Sequence, residues 1–185
     1  MGLKVHKSEL NSSTIQSLLA NEAQDAAALI TAINNFVNDT SQSLQGEAYD
    51  AARSEMIAYA QILERRVSAA SELATAVANS TSSLSNYMGS YDYLDDSDIP
   101  ELKQEILNIQ EYYENIIQSY KQRSFLQRLF FSEAKIRREC AAKIAPLQEE
   151  LAKLEGLAGA DSAAYSLLNA ATSTVETYRT SVTSK

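Results

Sequence analysis

The sequence predicts an all-α protein, an elongated rod of long antiparallel helices with coiled-coil-like packing. Three observations carry that expectation. The 185 residues hold only 5 Gly and 2 Pro, too few for the turn chemistry that a sheet protein needs roughly every ten residues. Alanine and serine fill the chain instead, with 27 and 23 copies. Apolar residues, 45% of the chain, recur in alternating steps of three and four, which marks a left-handed coiled-coil seam. Residues 1–185 read as one helical domain with helices at about 8–39, 46–90, 98–123, 132–155 and 161–182.

The elements follow in order. Leu3 to Lys7 read as a short extended lead-in, with Ser8 as the N-cap of a first helix and Glu9 in its first turn. Ile15, Leu29 and Phe36 then fall on one line, and Leu19, Ala26 and Ile33 on its neighbour, giving an amphipathic helix. Glu22 lies among these lines and is expected to snorkel outward. Thr40 to Gly46 is the first break. The helix after it carries the cleanest seam: Met56, Ala60, Leu63, Val67, Ala70, Ala74, Val77, Thr81, Leu84 and Met88. The two helices form a helical hairpin, 8–39 and 46–90. At 1.5 Å per residue, about 45 residues span roughly 65 Å, longer than a compact domain of this size is wide.

Asp92 to Asp98 form the second break. Their acidic spacing invites a calcium reading, but the glycine and alternating ligand positions of an EF-hand loop are missing. Capping accounts for them better, with Asp98 as N-cap, Pro100 in the first turn and Glu101 closing a capping box. The third helix carries Leu102, Ile106, Ile109, Tyr113, Ile116 and Tyr120 on its seam. Over Lys121 to Phe131 the pattern degrades, and Phe125, Leu126, Leu129, Phe130 and Phe131 alternate with Arg123 and Arg128. Ser132 recaps a fourth helix, with Ile136, Cys140, Ile144, Leu147, Leu151 and Leu154 on its apolar face. Pro146 should kink it, and Gly156 and Gly159 should end it. A last helix places Tyr165, Leu168, Val175, Tyr178 and Val182 near one face.

Composition excludes several functions. With 16 Lys+Arg against 24 Asp+Glu the net charge is −8, which speaks against nucleic acid as a partner. Residues 121–143 run the other way, with seven basic side chains and two acids. Cys140 and His6 are the only residues of their kinds, so no disulfide, zinc cluster or Cys-His pair within a cleft is expected, and neither a cofactor nor an enzyme activity. Met1 to Leu10 lacks the apolar stretch of a Sec signal. The longest uncharged run, Leu73 to Tyr91, contains nine Ser, Thr or Asn residues, so no integral membrane segment is expected.

The first break carries a motif. A long helix, a turn reading Ser-Leu-Gln-Gly-Glu-Ala-Tyr-Asp with Leu44 and Gly46 as Leu-x-Gly, and a longer helix with Tyr49 and Ala51 resemble the LXG domain family. Lys4-Val5 and Ser8-Glu9-Leu10 fit the starts of such domains. The hairpin is more distantly similar to the small WxG secreted proteins, whose Tyr-x-x-x-Asp/Glu signal has its counterpart in Tyr91 to Asp95. The plainer reading of Tyr91 and Asp95 is helix-end packing and a capping acid. Leu44 and Gly46 have a plain reading too: an apolar residue folded back on the hairpin, and a position without a side chain where backbones crowd.

The resemblance implies an N-terminal targeting domain of a type VII secretion effector toxin of Gram-positive bacteria. It implies small helical hairpin partners of the WxG-like kind, recognition by the secretion-system ATPase, and a cytoplasmic protein that is then secreted without a Sec signal. LXG proteins continue into a C-terminal toxin domain, which is absent from this chain. Two other readings stand beside it. In one, Phe125, Arg128, Leu129, Phe130 and Phe131 contact a partner or an anionic membrane surface. In the other, the rod is a generic coiled-coil scaffold.

Overall fold

Heptad seams need partners to bury them, and among the described residues they become four helices. In a computed structural model that describes residues 2–122 and 132–183, these are α1 (Ser13–Ser43), α2 (Glu47–Met88), α3 (Ile99–Lys121) and α4 (Glu133–Thr183). Two short strands, β1 (Lys4–His6) and β2 (Tyr93–Asp95), pair antiparallel with Val5 opposite Leu94. The protein is an all-α helical bundle carrying this small ribbon. The chain divides into two compact units, Met1–Glu9 with Met88–Ala160, and Leu10–Tyr87 with Asp161–Lys185.

In the second of these units α1 and α2 run antiparallel around a core of Ala26, Ile33, Ala60 and Leu63, with Ile30, Val37 and Val67 packed against it. Of the two apolar lines on α1, the Ala26/Ile33 line is the buried one, while Ile15, Leu29 and Phe36 stay 41–50% exposed. The α2 seam holds from Ala60 onward, but Met56 lies outside it, 41% exposed. Glu22 does not snorkel freely: it accepts from Arg66 Nε at 2.6 Å and pairs with that guanidinium. A second line on α2, with Ala69 and Ala76 buried, faces the last part of α4. There Arg65 bonds Ser181 and Glu72 accepts from Thr174, so α2 and α4 are antiparallel.

In the other unit, α3 runs antiparallel to the first part of α4, tied by Lys103–Glu155 at 2.7 Å and Arg137–Glu114 at 3.5 Å. Ile106, Tyr113, Ile117, Ile144, Leu154 and Leu157 are buried there. The ribbon is held by Asp95, whose side chain is only 4% exposed. Its carboxylate pairs with Lys4 at 2.5 Å and accepts from Tyr93 Oη at 2.7 Å, Ser97 Oγ at 2.5 Å and Ser97 N at 2.9 Å. The Lys4 ammonium first, then the Ser97 and Tyr93 hydroxyls, hold this carboxyl well below the usual carboxylate range. Gly2 lies against the same acidic turn, where a Cβ would sit 2.5 Å from Asp96 Oδ1.

Several boundaries differ from expectation for identifiable reasons. Ser8 caps nothing; Lys7–Glu9 form a single 3-10 turn, and α1 starts at Ser13, whose N–H is taken by Asn11 Oδ1 at 3.0 Å. The polar stretch after Asp39 stays helical to Ser43, and within it the Thr40 and Ser43 hydroxyls bond back to the carbonyls of Phe36 and Asp39. Asp98 occupies the N-cap of α3 without a side-chain bond; Asp95 makes that kind of bond instead, capping the 3-10 turn before it. α2 stops at Met88 because Gly89 turns left-handed, φ +60°.

The largest correction is at Gly156 and Gly159. They do not separate two helices, and Glu133–Thr183 is one continuous helix with Pro146 inside it. The seam explains this. Leu154 and Leu157 are 3% and 0% exposed, and the line continues in register through Ala164 and Ala171. Burying a leucine contributes about 1.5–3 kcal/mol, whereas a mid-helix glycine costs about 1 kcal/mol relative to alanine. The register fixed by these small residues leaves Tyr165 and Val182, expected on the seam, exposed instead.

Two outcomes follow. A Cβ at Gly159 meets nothing within 4 Å, so Gly159→Ala should raise stability by about 0.5–1 kcal/mol in urea melts. Asp95 titrates lower folded than unfolded, so its stabilisation is present above the unfolded value of about 3.9 and is lost as pH falls below it. Thermal melts of the wild type should therefore drop in acid below about pH 4, while Asp95→Asn should melt lower at neutral pH and show a flatter acid dependence.

Candidate functional site

The expected motif residues form the tip of the α1–α2 hairpin. Leu44, half-buried, ends α1 in extended conformation, with its N–H on Thr40 O at 3.0 Å. Gly46 precedes α2, and its carbonyl accepts from the N–H groups of Tyr49 and Asp50, both at 3.0 Å. The reason for glycine is not crowding, since a Cβ at Gly46 would meet nothing within 4 Å. It is the backbone: φ is +129°, a region that costs any other L-residue about 1–3 kcal/mol.

Arg53, which the sequence reading passed over, closes the tip. Its Nη1 donates to Thr40 O at 3.0 Å and Leu44 O at 2.9 Å, and its Nη2 pairs with Asp50. The last carbonyls of α1 would otherwise lack donors, and a guanidinium at a helix C-terminus also opposes the negative end of the helix dipole. The available signal was position. Arg53 is the only basic residue between Leu10 and Glu64, and it stands two turns into α2, beside the end of the preceding helix.

About three to four turns down the hairpin from this tip, α1 and α2 leave an apolar groove of about 570 Å³, lined by Leu29, Ile33, Glu55, Met56 and Tyr59. Tyr59 and Leu29 are 49% and 46% exposed. The helical period explains the groove. On α1, Leu29 and Phe36 lie on the line next to the buried one; on α2, Tyr49, Met56 and Tyr59 recur along one side.

The remaining expected residues fall elsewhere. Asp95 spends its carboxylate on Lys4, Tyr93 and Ser97 inside the ribbon, and Tyr91 is half-buried, with its phenol raised by burial and by nearby Glu149 and Glu150. Phe125, Arg128, Leu129, Phe130 and Phe131 lie outside the described residues. Among the described residues, no group of three or more His, Cys, Asp or Glu side chains could hold a metal ion, and no helix is long and apolar enough to cross a membrane.

Arg53→Ala should lower the urea midpoint by an amount worth about 1.5–3 kcal/mol, the range for hydrogen bonds made by a charged group. Arg53→Lys should recover only part of it, because one ammonium cannot serve two carbonyls and Asp50 with the fork geometry of a guanidinium. In comparisons with known proteins, no family model, no curated protein and no solved structure matches this chain.

Proposed function

We propose that the chain is a helical binding module that delivers a type VII secretion effector, as the resemblance of its Leu44-x-Gly46 turn to LXG domains implies. In this reading it takes small helical hairpin proteins as partners in the cytoplasm, presents the assembly to the secretion-system ATPase, and is exported with a C-terminal toxin. The single observation that carries the reading is the apolar groove on the same hairpin, lined by Leu29, Met56 and Tyr59 on two long antiparallel helices. A hairpin that buries one seam and leaves a second apolar line open is suited to receive a further helix. Supporting it, many buried positions are alanine, among them Ala26, Ala60, Ala69, Ala70, Ala76, Ala164 and Ala171, and each buries little area, so an added helix contributes a large share of apolar contact.

Co-expression with the small helical proteins encoded beside the gene tests this. They should co-purify with the chain and raise its melting temperature by mass action. In the same strain, Leu44→Ala should leave circular dichroism helical and reduce export of a toxin fused behind Lys185. Co-purification of none of them, together with unchanged export of the Leu44→Ala fusion, overturns the proposal.

A further inference from the structure

The groove along the α1–α2 hairpin carries a sign of charge as well as an apolar floor. Glu55 is part of its lining, and Asp25 stands one turn before Leu29 on the same exposed line of α1. Both are exposed, and among the described residues neither forms an ion pair. The basic residues near them are already engaged: Arg53 on Asp50 and two carbonyls, Arg66 on Glu22. α1 itself contains no lysine or arginine. Among the described residues, the apolar strip of Leu29, Met56 and Tyr59 is therefore bordered by the unpaired carboxylate of Glu55 and, one turn on, that of Asp25.

α4 does not compete for this place. It lies against Arg65, Glu72 and Ala76 of α2, and its end at Thr183 stands only two residues past the Ser181 that bonds Arg65, whereas Met56 and Tyr59 lie further along α2 toward the turn. What fits is an independent helix. We propose that the groove binds an amphipathic helix of a partner protein whose apolar heptad line is flanked by lysine or arginine. Its apolar side chains cover Leu29, Met56 and Tyr59, and its basic flanks meet Asp25 and Glu55. Charge complementarity of this kind selects partner and orientation more than it adds raw affinity. The inference rests on the helical-partner reading above and assigns the site and the chemistry of that partner.

The test uses the full chain and two three-heptad helical peptides with the same leucine line, one flanked by lysines and the other by glutamates. Fluorescence anisotropy should show the lysine peptide binding about tenfold tighter, since an exposed ion pair supplies at most about fivefold and two carboxylates act together. The double variant Asp25→Lys/Glu55→Lys should reverse the order of the two peptides. Leu29→Ser/Met56→Ser keeps both carboxylates, so loss of lysine-peptide binding in that variant separates the groove from general attraction to an acidic protein. Equal affinity of the two peptides, or lysine-peptide binding unaffected by Leu29→Ser/Met56→Ser, overturns the proposal. So does a wild-type dimer in sedimentation that the same variant converts to monomer, since the occupant is then a second copy. Co-purifying natural partners that ignore Asp25→Lys/Glu55→Lys overturn the site and leave the partner reading standing. Absence of any natural partner overturns that reading, while the peptides decide the groove on their own.

Discussion

The larger unit depends on one helix serving two neighbours. α2 gives the line of Ala60, Leu63 and Ala70 to α1 and the line of Ala69 and Ala76 to α4. Small side chains on both lines let the helix axes approach closely, since interaxial distance follows the residues at the contact. They also make the seams smooth. A smooth alanine seam tolerates a slip of one heptad far better than a seam of interlocking leucines. Register must then come from elsewhere, and the polar ties supply it: Glu22 with Arg66 between α1 and α2, Arg65 with Ser181 and Glu72 with Thr174 between α2 and α4. In this unit apolar burial holds the helices together and hydrogen-bonded side chains decide their alignment.

The helices were legible in the sequence wherever burial is periodic. Ala60 to Met88, Leu102 to Tyr120 and Ile136 to Leu154 are half-buried or buried at the expected steps. Their ends were less legible, because a cap depends on backbone geometry that residue type alone does not decide. Asp95 and Asp98 are equally good capping residues on paper, yet only Asp95 has the extended backbone that lets its carboxylate reach a following N–H. Gly156 and Gly159 misled for a different reason. A glycine is a local signal, and here it is outweighed by Leu154 and Leu157 on a seam that passes through it.

The candidate site was legible only in part. Leu44 and Gly46 were found from the motif, and the turn they form is where the spacing placed it. The role of Arg53 was not, because a guanidinium that serves carbonyls on the preceding helix leaves no periodic trace. The groove lay between these cases. Its α1 half was visible as a second apolar line, but nothing in Met56, which follows the seam spacing, marks it as exposed. In its first half, the side of α2 that carries Met56 and Tyr59 opens onto the groove instead of closing on α1.

The ribbon has a consequence for the order of assembly. Leu3 and Asp96 are bonded although they stand 93 positions apart, so β1 cannot dock until the chain has been made past β2. Closing a loop of that length directly carries an entropic cost that grows with the logarithm of its length. Zipping the α1–α2 hairpin first, as far as Ser12 against Thr81, reduces the free loop to the few residues on either side. The strand pair can therefore form only once β2 is made, and β1 of a nascent chain has no strand to pair with throughout the synthesis of both hairpin helices.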